Sequence, residues 1–179
     1  MDFPKAARRW SAAAVLTTVG LAAGAAVLSF GPGVAQESPA RAALVAEGLE
    51  IWRGDAGCFN CHGNFGEGGE GGHFPAGPSL RRTQLPAEGL RLTIACGRPG
   101  TEMPYNLAGA YTEVACYSFP VPTDPATIAA TPGVAFTPEQ IDALTAYIVD
   151  ELVGKGNVTR DQCAAFYGGN RDHPDCNWR

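Results

Sequence analysis

Cys58-Phe59-Asn60-Cys61-His62 decides the reading of this 179-residue chain. The stretch is a C-x-x-C-H pentapeptide, the pattern by which a chain holds a c-type haem. Two thiols at this spacing reach the two vinyl groups on one porphyrin edge. The histidine that follows is then held beneath the iron as its proximal ligand. A bare C-x-x-C would also suit half a zinc site or a thioredoxin-like redox pair. No second ligand pair follows at regular spacing, and no βαβ pattern precedes the motif. The expectation is one haem c, linked through Cys58 and Cys61, with His62 on the iron.

The segment upstream has the anatomy of an export signal. Lys5, Arg8 and Arg9 form a basic start, Ala12 to Phe30 is almost wholly small and apolar, and Gly31-Pro32-Gly33 breaks the run. Gly33-Val34-Ala35 then offers small residues where a signal peptidase cuts, so residues 1–35 are expected to be a signal peptide. The competing reading is an uncleaved anchor through residues 10–30, since the apolar run is long enough to span a bilayer. Cleavage after Ala35 would take the formal charge from −5 to −7 and leave Lys155 as the only lysine. An acidic chain of this kind does not suit nucleic acid, which wants a basic surface. Docking to partners is expected to use acidic and apolar surface.

Four cysteines remain besides the motif pair: Cys96, Cys116, Cys163 and Cys176. An even number in an exported chain implies disulfides. Three pairings exist, and sequence proximity favours Cys96–Cys116 and Cys163–Cys176. Each would close a loop worth ~3 kcal/mol in the chain-entropy account.

The local pattern predicts three helices and no convincing strand. Ser38-Pro39 opens the first, with Leu44, Val45, Leu49 and Trp52 at helical spacing and an end near Gly54 or Gly57. Leu85 to Ala95 reads as the second. Thr137-Pro138-Glu139-Gln140 starts the third, whose stripe is Ile141, Leu144, Tyr147, Ile148 and Leu152, and Gly154 stops it. The glycine-rich stretch 63–72 matches no phosphate-binding motif and reads as a loop. Residues 117–136, with four prolines, read as a long excursion without a core-forming pattern. The haem-bearing body is thus expected over 36–154, followed by an irregular, disulfide-tied tail over 155–179.

Over residues 40–153 these features resemble the class I cytochromes c, a small all-α electron-transfer family. Gly48-x-x-x-Trp52 and Leu144-x-x-Tyr147-Ile148 resemble the family's two crossing helices. Gly77-Pro78-x-Leu80 resembles the loop whose proline carbonyl accepts the proximal histidine's N–H, and Met103-Pro104 resembles the loop that supplies a sulfur ligand. The resemblance implies a mostly α fold with N- and C-terminal helices packed around one covalently bound haem.

Met103 also stands out alone. It is the only methionine beyond Met1, and it sits in a Gly/Pro-rich loop and not on an apolar stripe. Of the other two histidines, His73 in the glycine loop is the alternative for the sixth position, and His173 in the tail reads as a surface residue. Arg81, Arg82, Arg91 and Arg98 could pair with haem propionates, Arg98 foremost because it precedes the ligand loop, and Tyr105 could bond a propionate or pack on the haem. The expected function is one-electron transfer between periplasmic redox proteins, with no substrate transformed and no membrane contact unless residues 10–30 are retained. Two alternatives differ in class: a peroxide- or gas-reactive haem enzyme with a weak Met bond, and a haem-bearing subunit of a membrane redox complex. The cysteine pair around Met103, the 117–136 insertion and the tail depart from the family pattern and suggest a subgroup that serves a dedicated dehydrogenase.

Overall fold

Ser38 caps the first helix. Its hydroxyl accepts the Arg41 amide at 3.2 Å, and Pro39, which has no amide to leave unpaired, takes the first helical position. The computed structural model describes residues 38–54, 56–69 and 77–177. The signal-peptide and anchor readings, and the histidine at position 73, lie outside them. The described residues fall in one compact unit that includes the tail.

Helix α1 (Pro39–Arg53) buries Gly48 and Trp52. Helix α2 (Cys58–His62) is one turn carrying the motif, and α3 (Ala87–Cys96) buries Leu90 and Ile94. Helix α4 (Pro138–Tyr147) begins with the reciprocal capping box of Thr137 and Gln140 and runs on into a π-helical turn, Ile148–Leu152. Gly154, at φ +73°, ends it and donates its amide to the Arg81 carbonyl. Helices α1 and α4 pack directly on each other. A Cβ on Gly48 would overlap the Ala143 carbonyl oxygen and stand 2.7 Å from the Tyr147 Cβ, so only glycine admits this crossing. Arg41 adds a forked ion pair from α1 to Asp150 at 2.6 and 2.8 Å.

Two strands, absent from the sequence expectation, pair in parallel. Strand β1 (Tyr105–Leu107) meets β2 (Pro132–Phe136) with Tyr105 opposite Pro132 and Leu107 opposite Phe136. The register slips between those two points, and the buried Asn106 side chain fills the gap. Its Oδ1 accepts the Val134 amide, and its Nδ2 donates to the Ile94 and Pro104 carbonyls, all at 3.2 Å.

The 117–136 expectation is therefore corrected. The segment contains a 3₁₀ turn over Pro125–Ile128, capped by Asp124, then β2, and it buries Ala130 and Phe136. The tail is corrected likewise: Thr159 and Gln162 form a second capping box on α5 (Arg160–Phe166), and a 3₁₀ turn spans Pro174–Cys176.

The two disulfides are Cys96–Cys116 and Cys163–Cys176, each with Cα atoms 5.6 Å apart. The expectation of a mostly α molecule with terminal helices packed around one bound haem is corrected on this architecture. Fewer than half of the described residues are helical, and a parallel sheet and two disulfides organise the middle and the tail. Among the described residues no group of three or more His, Cys, Asp or Glu side chains is placed to hold a metal ion. The helix pair packs on itself through Gly48, so its core is protein against protein. No helix among the described residues is long and apolar enough to cross a membrane.

Candidate functional site

Gly57, in the left-handed region at φ +61°, turns the chain from α1 into the Cys58–His62 helical turn. Cys58 and Cys61 are half-buried free thiols, whereas the other four cysteines are all paired. Burial pushes the Cys58 thiol up to about 11, a backbone hydrogen bond opposes this, and the neighbouring Cys61 adds to it.

His62 is the best-defined member of the site. The residue is 8 % exposed, and its Nδ1 lies 2.8 Å from the Pro78 carbonyl oxygen. A carbonyl only accepts, so Nδ1 carries the proton and Nε2 keeps its lone pair. Burial lowers the ring's pKa, and the Pro78 bond opposes that shift. Gly77 permits the contact: its amide donates to the Cys61 carbonyl at 2.8 Å, and a Cβ there would stand 2.8 Å from both His62 Cε1 and Nδ1. Trp52, fully buried, lies 6.4 Å from the His62 ring and 5.8 Å from Tyr147, and its Nε1 donates to the Asn64 carbonyl at 3.1 Å.

Met103 is half-buried on the loop between α3 and β1. Its carbonyl accepts the Arg98 amide at 3.0 Å, and its amide donates to the Thr101 hydroxyl at 3.2 Å. The same loop is tied to the 117–136 segment, through Gly100 to Ala129 and Tyr105 to Thr131, both at 2.9 Å. Arg98 is exposed, and Tyr105 stands edge-on to Tyr111 at 5.6 Å. No hydrogen bond or ring contact among the described residues joins Met103, Arg98 or Tyr105 to the motif. The structure thus brings His62, Pro78 and Trp52 together and places the Met103 loop on a separate, independently braced segment.

Other sequence candidates have different partners. Arg81 is 5 % exposed and faces inward. Its guanidinium donates to the carbonyls of Phe65, Lys155, Gly156 and Asn157 and to Gln162 Oε1, at 2.5–3.3 Å, so it fastens the loop after the motif to the tail. A role for it on a propionate is corrected, because its donors are spent on carbonyls. Arg91 pairs with Asp142 of α4. His173 stacks on Tyr167 at 3.5 Å in the tail. A cleft of about 550 Å³, lined by Asn64, Phe65, Glu67, Asn157, Val158 and Asp175, lies where the post-motif loop meets the tail, away from the thiols and Met103.

Sequence reading missed Asn64, which receives Trp52 and donates to the Tyr167 hydroxyl at 2.9 Å, and it missed Tyr111 and Tyr117. Nothing in their spacing marks them, since Asn64 meets the Tyr167 hydroxyl and the two tyrosines meet the Cys96 and Gly97 carbonyls, all remote in sequence.

The donor set fits a covalently held haem. Two unpaired thiols lie one helical turn apart and would hold the group covalently, and the next residue presents an oriented imidazole whose Nε2 would be available to its iron. Comparison with protein-family models, with curated proteins and with solved structures found no match, so these residues carry the functional reading.

Proposed function

We propose that this chain is an exported one-electron carrier that holds a single haem c through Cys58 and Cys61, with His62 and Met103 as axial ligands. The His62 ring carries the reading: it is buried, directly follows two unpaired thiols, and has Nδ1 committed to Pro78 at 2.8 Å. When bound, the haem supplies the redox change, its iron cycling between ferric and ferrous.

The chain's own residues bind, orient and shield. Cys58 and Cys61 fix the porphyrin edge, and Pro78 holds the imidazole in one tautomer and raises its basicity. Trp52 closes the space behind the ring. The Met103 loop offers a soft thioether that favours the ferrous state. Partners are redox proteins, met through acidic and apolar surface, since Lys155 is the only lysine after residue 35. Two disulfides suit an oxidising compartment, here the periplasm.

Denaturing electrophoresis with haem staining tests the attachment. The wild type should keep its stain, and the double variant Cys58→Ala/Cys61→Ala should lose it. A wild type whose haem departs on denaturation would overturn the proposal. Met103→Ala should abolish the weak sulfur-to-iron absorption band of the ferric protein and lower the potential.

A further inference from the structure

The end of α3 and the Met103 loop are in backbone contact. Gly97 sits at φ +63°, and a Cβ on it would stand 2.5 Å from the Tyr105 nitrogen and 2.7 Å from the Met103 carbonyl oxygen. The next residue, Arg98, donates its amide to that same Met103 oxygen at 3.0 Å. The Gly97 carbonyl and the Arg98 amide belong to one planar peptide unit, so whatever fixes one fixes the other.

Tyr117 fixes it: its hydroxyl donates to the Gly97 carbonyl. One peptide earlier, the fully buried Tyr111 hydroxyl donates to the Cys96 carbonyl at 2.6 Å. Between the two tyrosines Cys116 is bonded to Cys96 itself. Three successive points on the chain segment that carries Met103 are therefore gripped from the 111–117 segment. Both tyrosines sit at positive φ, 68° and 55°, a conformation that side-chain-bearing residues rarely keep unless their surroundings demand it.

We infer that Tyr117, backed by Tyr111, is a positioning residue for the Met103 ligand loop. The inference rests on the proposal that Met103 binds the iron. Its hydroxyl orients the Gly97–Arg98 peptide, that peptide holds the Met103 carbonyl, and the thioether is thereby presented without the loop having to deform. Tyr117 is 42 % exposed, so it contributes little to the core and its aromatic ring can stay while the hydroxyl is removed.

The test uses the full-length haem-loaded protein and imidazole, which competes with a methionine for ferric iron. Tyr117→Phe and Tyr111→Phe should each bind imidazole about fivefold to tenfold more tightly than the wild type, the factor given by losing one hydrogen bond of ~1–1.4 kcal/mol. Thr137→Ala, which removes the cap of α4, is the stability control. It should lower the unfolding midpoint and leave imidazole affinity unchanged. Wild-type affinity in both tyrosine variants would overturn the inference, as would an equal rise in Thr137→Ala. A wild type with no sulfur-to-iron band would instead overturn the Met103 ligation proposal, and this inference with it. Should Tyr111→Phe fail to fold, Tyr117→Phe alone decides.

Discussion

His62 and Pro78 are joined by a 2.8 Å hydrogen bond from the ring Nδ1 to the proline carbonyl oxygen, and Gly77 is the residue that leaves room for it. Gly77→Ala would put a methyl group 2.8 Å from two ring atoms and 3.0 Å from the Cys61 carbonyl oxygen. The ring must turn and the bond must break. The expected cost is about 1–3 kcal/mol of stability. The midpoint potential should shift as well, because the imidazole loses the partner that sets its basicity. Potentiometry and thermal unfolding on the haem-loaded protein check both, and an unchanged potential would count against the assigned role of this bond.

The α1–α4 crossing tolerates no side chain at position 48. The atoms in the way include the Ala143 backbone carbonyl, which cannot swing aside. Gly48→Ala should cost about 3 kcal/mol. Gly54→Ala, with its nearest obstacle at 3.1 Å, should cost far less. Urea unfolding of the two variants side by side gives the comparison, and equal losses would remove Gly48 from its place at the crossing.

Arg81 ties three segments with one guanidinium. Replacing it with Met leaves the carbonyls of Phe65, Lys155, Gly156 and Asn157 without this donor. A loss of about 3 kcal/mol is expected. Protease should then cut more readily at 155–159, while the Cys163–Cys176 bridge keeps the distal fragment intact. Limited proteolysis resolved by mass spectrometry reads this directly. A tail as resistant as the wild type's would show that the disulfide and α5 suffice.

Alkaline stability should turn on Tyr147. Burial pushes its hydroxyl up to about 12, with the Arg53 cation pulling the other way. An unfolded tyrosine ionises near 10. Between about pH 10 and 12 the unfolded chain releases this proton and the folded chain keeps it, so stability falls as pH rises through that window and is fully present below it. The contribution is about 3 kcal/mol. Tyr147→Phe should flatten the fall without abolishing it, because Tyr111 and Tyr167 are also raised. Denaturant midpoints at pH 9 to 12 measure it, and a slope identical to the wild type's would refute it.

What could be read from the chain was what short-range chemistry writes. Ser38 with Pro39, and Thr137 with Gln140, announce helix starts because a cap acts within three residues. The disulfide pairs followed from loop length. The strands were hidden because Tyr105 pairs with Pro132, far along the chain, and Pro132-Gly133 carries the wrong residues for a strand signal. Arg81 was misread because charge alone does not say whether carboxylates or backbone carbonyls will receive it. The Thr159–Gln162 box was legible in principle, but the short α5 has too few apolar positions to confirm a helix.

The raised Cys58 thiol has a consequence for how six cysteines share one chain. Disulfide exchange begins from the thiolate, and a thiol held at about 11 by burial offers almost none at neutral pH. Cys96, Cys116, Cys163 and Cys176 are each no more than 2 % exposed once joined, so neither bridge presents its sulfur for attack. The folded chain thus sorts its own sulfur by acidity and access: four atoms are oxidised and sealed, and the Cys58 thiol is kept reduced and slow to mispair.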